Sequence, residues 1–126
     1  MMFIIAKKSD WEAARQKGYY EVASLQEEGF LHCSKKEQVA ATANRIFKGQ
    51  QGLVLLEIDR AKVRADIREE NPKDAQNLYP HIYGRLNLDA VVTVHPFPPK
   101  ADGTFELPKS LSKPAAAKNT GFKNAG

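Results

Sequence analysis

A single cysteine, Cys33, stands in 126 residues, so no disulfide can form within the chain. That usage suits a reducing compartment, and a cytoplasmic location is expected. No apolar run approaches the roughly 20 residues of a bilayer-spanning helix, and the short apolar stretch at the start gives way to Lys7 and Lys8. Neither a membrane anchor nor a secretory leader is expected from it. There is no internal repeat. Neither an H-E-x-x-H nor a C-x-x-C spacing occurs, so the three histidines form no recognised metal-binding pattern. Acidic residues are missing altogether from 109–126, which holds Lys109, Lys113, Lys118 and Lys123. Without these four, 15 of the 19 basic residues remain and match the 15 acidic ones. The net charge of +4 therefore belongs to that segment, and no basic stripe for nucleic acid follows from the neutral body.

What is present fits one domain. The hydrophobic share of 42% is ordinary for a globular chain, and 1–108 is long enough for a single core. Residues 109–126 are sparse in apolar side chains and read as a flexible basic tail. Phe3-Ile4-Ile5 reads as a buried first strand. Ser9-Asp10-Trp11-Glu12 has the form of a capping box and predicts a helix to about Lys17, stopped by Gly18, with Trp11 turned to the core. Ser24-Leu25-Gln26-Glu27 repeats the box and predicts one short helical turn.

The helix with the clearest pattern runs from Lys35 to Lys48, where Val39, Ala40, Ala43, Ile46 and Phe47 make an apolar stripe. Leu53–Ile58 is apolar except for Glu57, the pattern of a central strand covered on both faces. Ala65 to Glu69 is a further strand, 71–77 a polar loop, and Val91 to Val94 a β-branched strand halted by Pro96. Phe105-Glu106-Leu107 is a short closing edge strand. The class is α+β, with two helices towards the front followed mainly by strands.

The chain turns about Glu28-Gly29-Phe30-Leu31-His32-Cys33-Ser34. Gly29 admits backbone angles closed to other residues. After it, Phe30, His32 and Ser34 share one face of a short strand, Leu31 and Cys33 the other. Ser34-Lys35-Lys36-Glu37 is a third capping box, so His32 lies just before a helix start. Pro80-His81-Ile82-Tyr83-Gly84 is a second histidine stretch, and in extended form it puts His81 and Tyr83 on one face.

These stretches resemble a family of small bacterial proteins known as domain of unknown function 952. The resemblance is carried by Ser9-Asp10-Trp11, Ser24-Leu25, the segment from Glu28 to Ser34, and Ala43-Asn44-Arg45. It continues through Leu53 to Asp59, Pro80 to Gly84 and Leu88-Asp89-Ala90-Val91-Val92, in order over 2–108. The family is similar, at a distance, to the ADP-ribosyltransferase-like fold. That similarity implies a split, twisted sheet with a nicotinamide-nucleotide cleft between its halves, and NAD as a possible substrate. It matches His32 to a second-strand site position, Ser34 to a small hydroxyl position and Glu70 to a later acidic one. Ile4 holds the first-strand position where relatives commonly have histidine.

Three functions follow from these residues. The first is a transferase or glycohydrolase-like enzyme acting on a nicotinamide or other ribose-containing nucleotide. In it His32 and Glu70 are catalytic, Glu70 stabilising positive charge as the glycosidic bond breaks, and His32, Ser34, His81 and Tyr83 bind the ligand. The second is a binding module that keeps the cleft without the chemistry, a reading Ile4 favours. The third is metal-assisted hydrolysis by His32, His81 and an acid. The bland readings stand beside them: His32 bonded to backbone, Ser34 a helix cap, and Tyr83 packed on Pro80 while His81 caps a loop. Cys33, facing away from His32, is a small core residue. Arg45 is a surface or snorkelling residue, His95 a surface or sheet-edge residue, and Glu57 a paired structural charge or a site acid. A small molecule is the expected partner, with no nucleic acid and no membrane.

Overall fold

The first strand already divides the interior into two layers. In the computed structural model, which describes residues 1–112, Met2–Lys7 form β1, whose successive side chains leave on opposite faces. Met2, Ile4 and Ala6 enter one apolar cluster, while Phe3 enters a second and Ile5 packs against it. Leu53–Ile58 form β4 and Val91–Pro96 form β8. These make an antiparallel sheet in the order β1-β4-β8. The central place of β4 explains its nearly unbroken apolar sequence, because both of its faces are covered.

Three helices precede the second half of the chain: α1 over Lys8–Lys17, α2 over Ala23–Glu28 and α3 over Val39–Ile46. A 3-10 turn, Lys36–Gln38, leads into α3. Both Gly18 and Gly29 end their helices with positive φ, and Gly29 N–H returns to Leu25 O at 3.0 Å. None of the three expected capping boxes forms. The residues at those positions are Lys7, Val22 and Lys35. Lys8 N–H already donates to Gly52 O at 2.8 Å, so α1 starts straight off the strand. Ser34 is held extended by two backbone bonds with Phe3, both 2.8 Å. The box moves one residue on, to Lys35 and Gln38, whose Oε1 accepts from Lys35 N–H at 2.9 Å.

A second three-stranded sheet holds β3 (Leu31–His32), β6 (Tyr79–Tyr83) and β5 (Asp66–Glu70), in the order β3-β6-β5. Tyr19–Tyr20 (β2) pairs with Leu86–Asn87 (β7) as a small ribbon. The architecture is thus α+β, with four helices and separate small sheets among the described residues. Among the described residues no helix is long and apolar enough to cross a membrane.

Two expectations from the sequence are corrected at the C-terminal end. Phe105 to Leu107 is irregular chain rather than an edge strand. Its backbone is satisfied by a side chain instead: Asn44 accepts from Phe105 N–H at 2.7 Å and donates to Phe105 O at 3.2 Å. The body also runs past residue 108. Lys109–Ser112 form a helical turn, α4, and Leu111 is buried in the cluster that contains the stacked Phe97 and Phe105 rings. His95 is correspondingly not at the surface but 6% exposed. Its Nε2 donates to Glu57 Oε1 at 2.8 Å, and its Nδ1 meets Ser110 Oγ at 2.8 Å. Glu57 is therefore a paired charge, and the His95 ring clasps α4 to the main sheet. Leu111→Ala should cost about 2 kcal/mol, the low end for a leucine truncation because the site lies at the core's margin. Chemical denaturation would measure it, and an unchanged midpoint would mean that α4 contributes no core. The flexible-tail reading otherwise falls on 113–126, outside the described residues.

Candidate ligand cleft

The register of the second sheet collects the polar residues on one face. His32 lies opposite His81, and His81 opposite Arg68. Stepping by two along each strand adds Phe30, Tyr79, Tyr83 and Glu70 to the same side. Leu31, Ile82 and Ile67 occupy the other side and pack into the core. This face borders an open cleft of about 730 Å³. Phe3 and Ile5 of β1 line another wall, with Thr42, Arg45, Ile46 and Phe47 from the end of α3. Ile4, one residue from both, points into the opposite core layer. An isoleucine there neither adds to nor removes from the cleft, because β1 presents Phe3 and Ile5 to it.

The rings are in direct contact. Phe30 stacks on His81 with 4.1 Å between centroids, and His32 meets His81 edge-on at 5.3 Å. The two histidine rings thus lie side by side at one cleft. Tyr83 lies 5.2 Å from Phe30, and the Arg68 guanidinium covers its ring at 4.3 Å.

Glu70 organises the polar end. Its Oε1 accepts from the Tyr83 hydroxyl at 2.5 Å and from His81 Nδ1 at 2.9 Å. Because a carboxylate can only accept, His81 carries its proton on Nδ1 and leaves Nε2 without one in the neutral ring. The Tyr83 hydroxyl, and after it His81, hold the Glu70 carboxyl below the usual carboxylate range. The same bond, with Glu70 as cause, raises the Tyr83 phenol above the ordinary tyrosine value. Both bonds fall on Oε1. Oε2 has no hydrogen-bond partner among the described residues, and the Glu70 side chain is about one-third exposed at the cleft.

His32 is more open. Its Nε2 donates to Glu28 Oε1 at 2.6 Å across the Gly29 turn, and its side chain is 56% exposed. Glu28 therefore fixes the ring's tautomer and leaves Nδ1 free to accept. Ser34 lines the cleft, though it is buried and its backbone is engaged with Phe3. Cys33 also borders the cleft, but burial pushes its thiol well above the ordinary value, which removes it as a nucleophile.

Comparison with known proteins agrees with this fold. The model of a family described as protein of unknown function (DUF952) matches residues 5–94. The chain belongs to the DUF952 family. A crystal structure of protein CC0527 from Caulobacter crescentus is 30% identical, with a TM-score of 0.80, and the match covers 89% of this chain and 98% of that one. A crystal structure of a double mutant of CC0527 matches at the same identity with a TM-score of 0.79. Its solution NMR structure, also 30% identical, gives a TM-score of 0.72 over 84% of this chain and 91% of that one. No curated protein matches.

Among the cleft-lining side chains of this DUF952 protein that the sequence does not mark as site residues are Phe30, Glu28, Arg45 and Lys73. Phe30 was legible as a strand residue on the His32 face, but not as the plate that holds His81. Glu28 precedes His32 by four residues, a helical spacing that does not by itself survive the turn at Gly29. Arg45 was read as a surface cation and Lys73 as part of a loop. Tyr83, by contrast, reaches the cleft through its bond to Glu70 rather than as a lining residue. Among the described residues, no group of three or more His, Cys, Asp and Glu side chains is placed to hold a metal ion.

Proposed function

We propose that the cleft binds the ribose of a nicotinamide or other ribose-containing nucleotide and breaks its glycosidic bond. The observation that carries this is the free Oε2 of a carboxylate kept ionised by Tyr83 and His81 on a stacked aromatic wall. An anion held in place before the reaction favours the state in which positive charge develops beside it. In a nicotinamide nucleotide that charge starts on the pyridinium ring. As the C1′–N bond breaks, its electron pair stays with the ring nitrogen, the nicotinamide leaves neutral, and the charge passes to the ribosyl oxocarbenium. Glu70 faces that cation. Water, or another acceptor, then adds at C1′, and Nδ1 of His32 takes the proton it releases. The ADP-ribosyltransferase-like resemblance, with its nicotinamide-nucleotide cleft, supports the same substrate class. The buried single thiol suits the reducing cytoplasm in which we place the activity.

A second reading, a module that binds such a ligand without cleaving it, is favoured by one feature. The first strand gives the cleft only the apolar Phe3 and Ile5, so no polar group acts from that side. The test separates the two. Purified protein is incubated with NAD and with nicotinamide mononucleotide, released nicotinamide is followed by chromatography, and binding is titrated calorimetrically. His32→Ala should slow release by about 100-fold, the low end for a lost general base, with little change in melting temperature. Binding without release selects the module. Absence of both would remove the nucleotide reading.

A further inference from the structure

The cleft holds two cations with no carboxylate partner among the described residues. The chain has six arginines. Arg15, Arg60, Arg64, Arg68 and Arg85 each pair with a carboxylate at 3.3 Å or less. Arg45 has no acidic partner among the described residues, and it is the one arginine that lines the cleft. It stands in the last turn of α3, where its neighbours Thr42 and Ile46 also face the opening. Lys73 comes from a different element, the loop after β5. That loop is pinned at its base: Asn71 donates to Asn77 O at 2.9 Å and accepts from Lys73 N–H at 3.0 Å. Lys73 is thereby held at the cleft, and its ammonium too lacks an acidic partner among the described residues.

The carboxylates of the same cleft do not answer these cations. Glu28 is taken by His32 and Glu70 by His81 and Tyr83. The cleft therefore carries two kinds of unmet demand: a carboxylate oxygen that wants a cation or hydroxyl, and cations that want an anion. A ribose phosphate ester supplies both on one molecule. An arginine matches phosphate with its planar fork of donors, and a lysine adds a mobile point charge.

We propose that Arg45 and Lys73 form a phosphate subsite, so that the cleft selects ribose 5′-phosphates over the corresponding nucleosides. The proposal rests on the nucleotide reading above and adds to it the group that decides affinity. The phosphate is either the monoester of a mononucleotide or the pyrophosphate of a dinucleotide, and comparing the two distinguishes these sources. Calorimetric titrations would use nicotinamide mononucleotide, nicotinamide riboside, NAD, AMP and adenosine. The native protein should bind each mononucleotide at least tenfold more tightly than its nucleoside. Preference for the mononucleotide over NAD assigns the subsite to a monoester, and the reverse preference to a pyrophosphate. Arg45→Gln should weaken nucleotides about fivefold to tenfold and leave nucleosides unchanged. Adding Lys73→Gln should abolish the discrimination, and the affinity for nucleotides should fall more steeply with salt in the native protein than in this double variant. Both side chains are exposed, so thermal melts of the variants should overlay the native curve.

Equal affinity for nucleotide and nucleoside overturns the subsite, as does an Arg45→Gln variant that weakens both equally, or binding of none of the five. The outcomes also part the subsite from the reaction. Discrimination without nicotinamide release leaves the subsite standing and the cleavage refuted. Release from riboside and mononucleotide with equal efficiency does the opposite.

Discussion

Glu70→Gln should lower the rate of nicotinamide release by about 1,000-fold while leaving the fold intact, the upper range for removing one preorganised electrostatic group. Glutamine keeps the shape and an oxygen for the Tyr83 hydroxyl. It removes the negative charge that faces the ribosyl cation in the proposed reaction, so the loss should appear in kcat far more than in KM. Tyr83→Phe is the milder companion. It deletes the first of the two donors that hold the Glu70 carboxyl low, and the carboxyl should move back up towards its ordinary range. The pH profile follows with a definite sign. Glu70 is depressed in the folded protein, so the stability linked to its ionised form is fully present above the ordinary carboxylate value of about 4.3, and the ionised form itself is lost only as pH falls through the lower folded value. Tyr83 is raised, so its donated proton is fully in place below the ordinary phenol value of about 10 and lost only as pH rises through the higher folded value. Between those limits this pair should contribute no inflection to the rate. A Glu70→Gln variant within tenfold of the native rate would remove Glu70 from the proposed chemistry.

Phe3→Ala should cost about 3–5 kcal/mol, the usual range for truncating a fully buried phenylalanine. Phe3 is 2% exposed and packs in the cluster with Val39, Ala43, Leu55 and Phe97. Its backbone also bridges to Ser34, so the ring and the bridge together tie the first strand to the turn that carries His32. Against a total stability of roughly 5–15 kcal/mol, that loss is a large fraction of the fold. The melting temperature should drop on the order of 15 °C. Ile46 is the control. It lines the same cleft but is 55% exposed, and Ile46→Ala should change stability by no more than about 0.5 kcal/mol. Equal melting points for the two variants would contradict the layer assignment.

Much of this protein was determined by local sequence. The alternation in Phe3-Ile4-Ile5, the apolar run at β4 and the apolar stripe of α3 each bury a large area however the rest is arranged, so burial alone selects strand or helix. The glycines after α1 and α2 ended those helices for the reason the sequence suggested, since positive φ suits no other residue as well. That His32 and His81 stand on short extended segments with polar alternate positions was legible, but that the two segments pair was not. Tertiary structure decided the rest. Capping depends on which backbone groups are already occupied, and Gly52 and Phe3 supply bonds from far along the chain that displace the serine caps. His95 and Leu111 turned inward because α4 returns to the main sheet, which no local pattern near residue 109 signals. That Glu70 Oε2 and Arg45 meet no partner among the described residues is a property of what surrounds them. A side chain's charge is written in the sequence, but whether that charge is already answered is settled only when distant strands and helices meet.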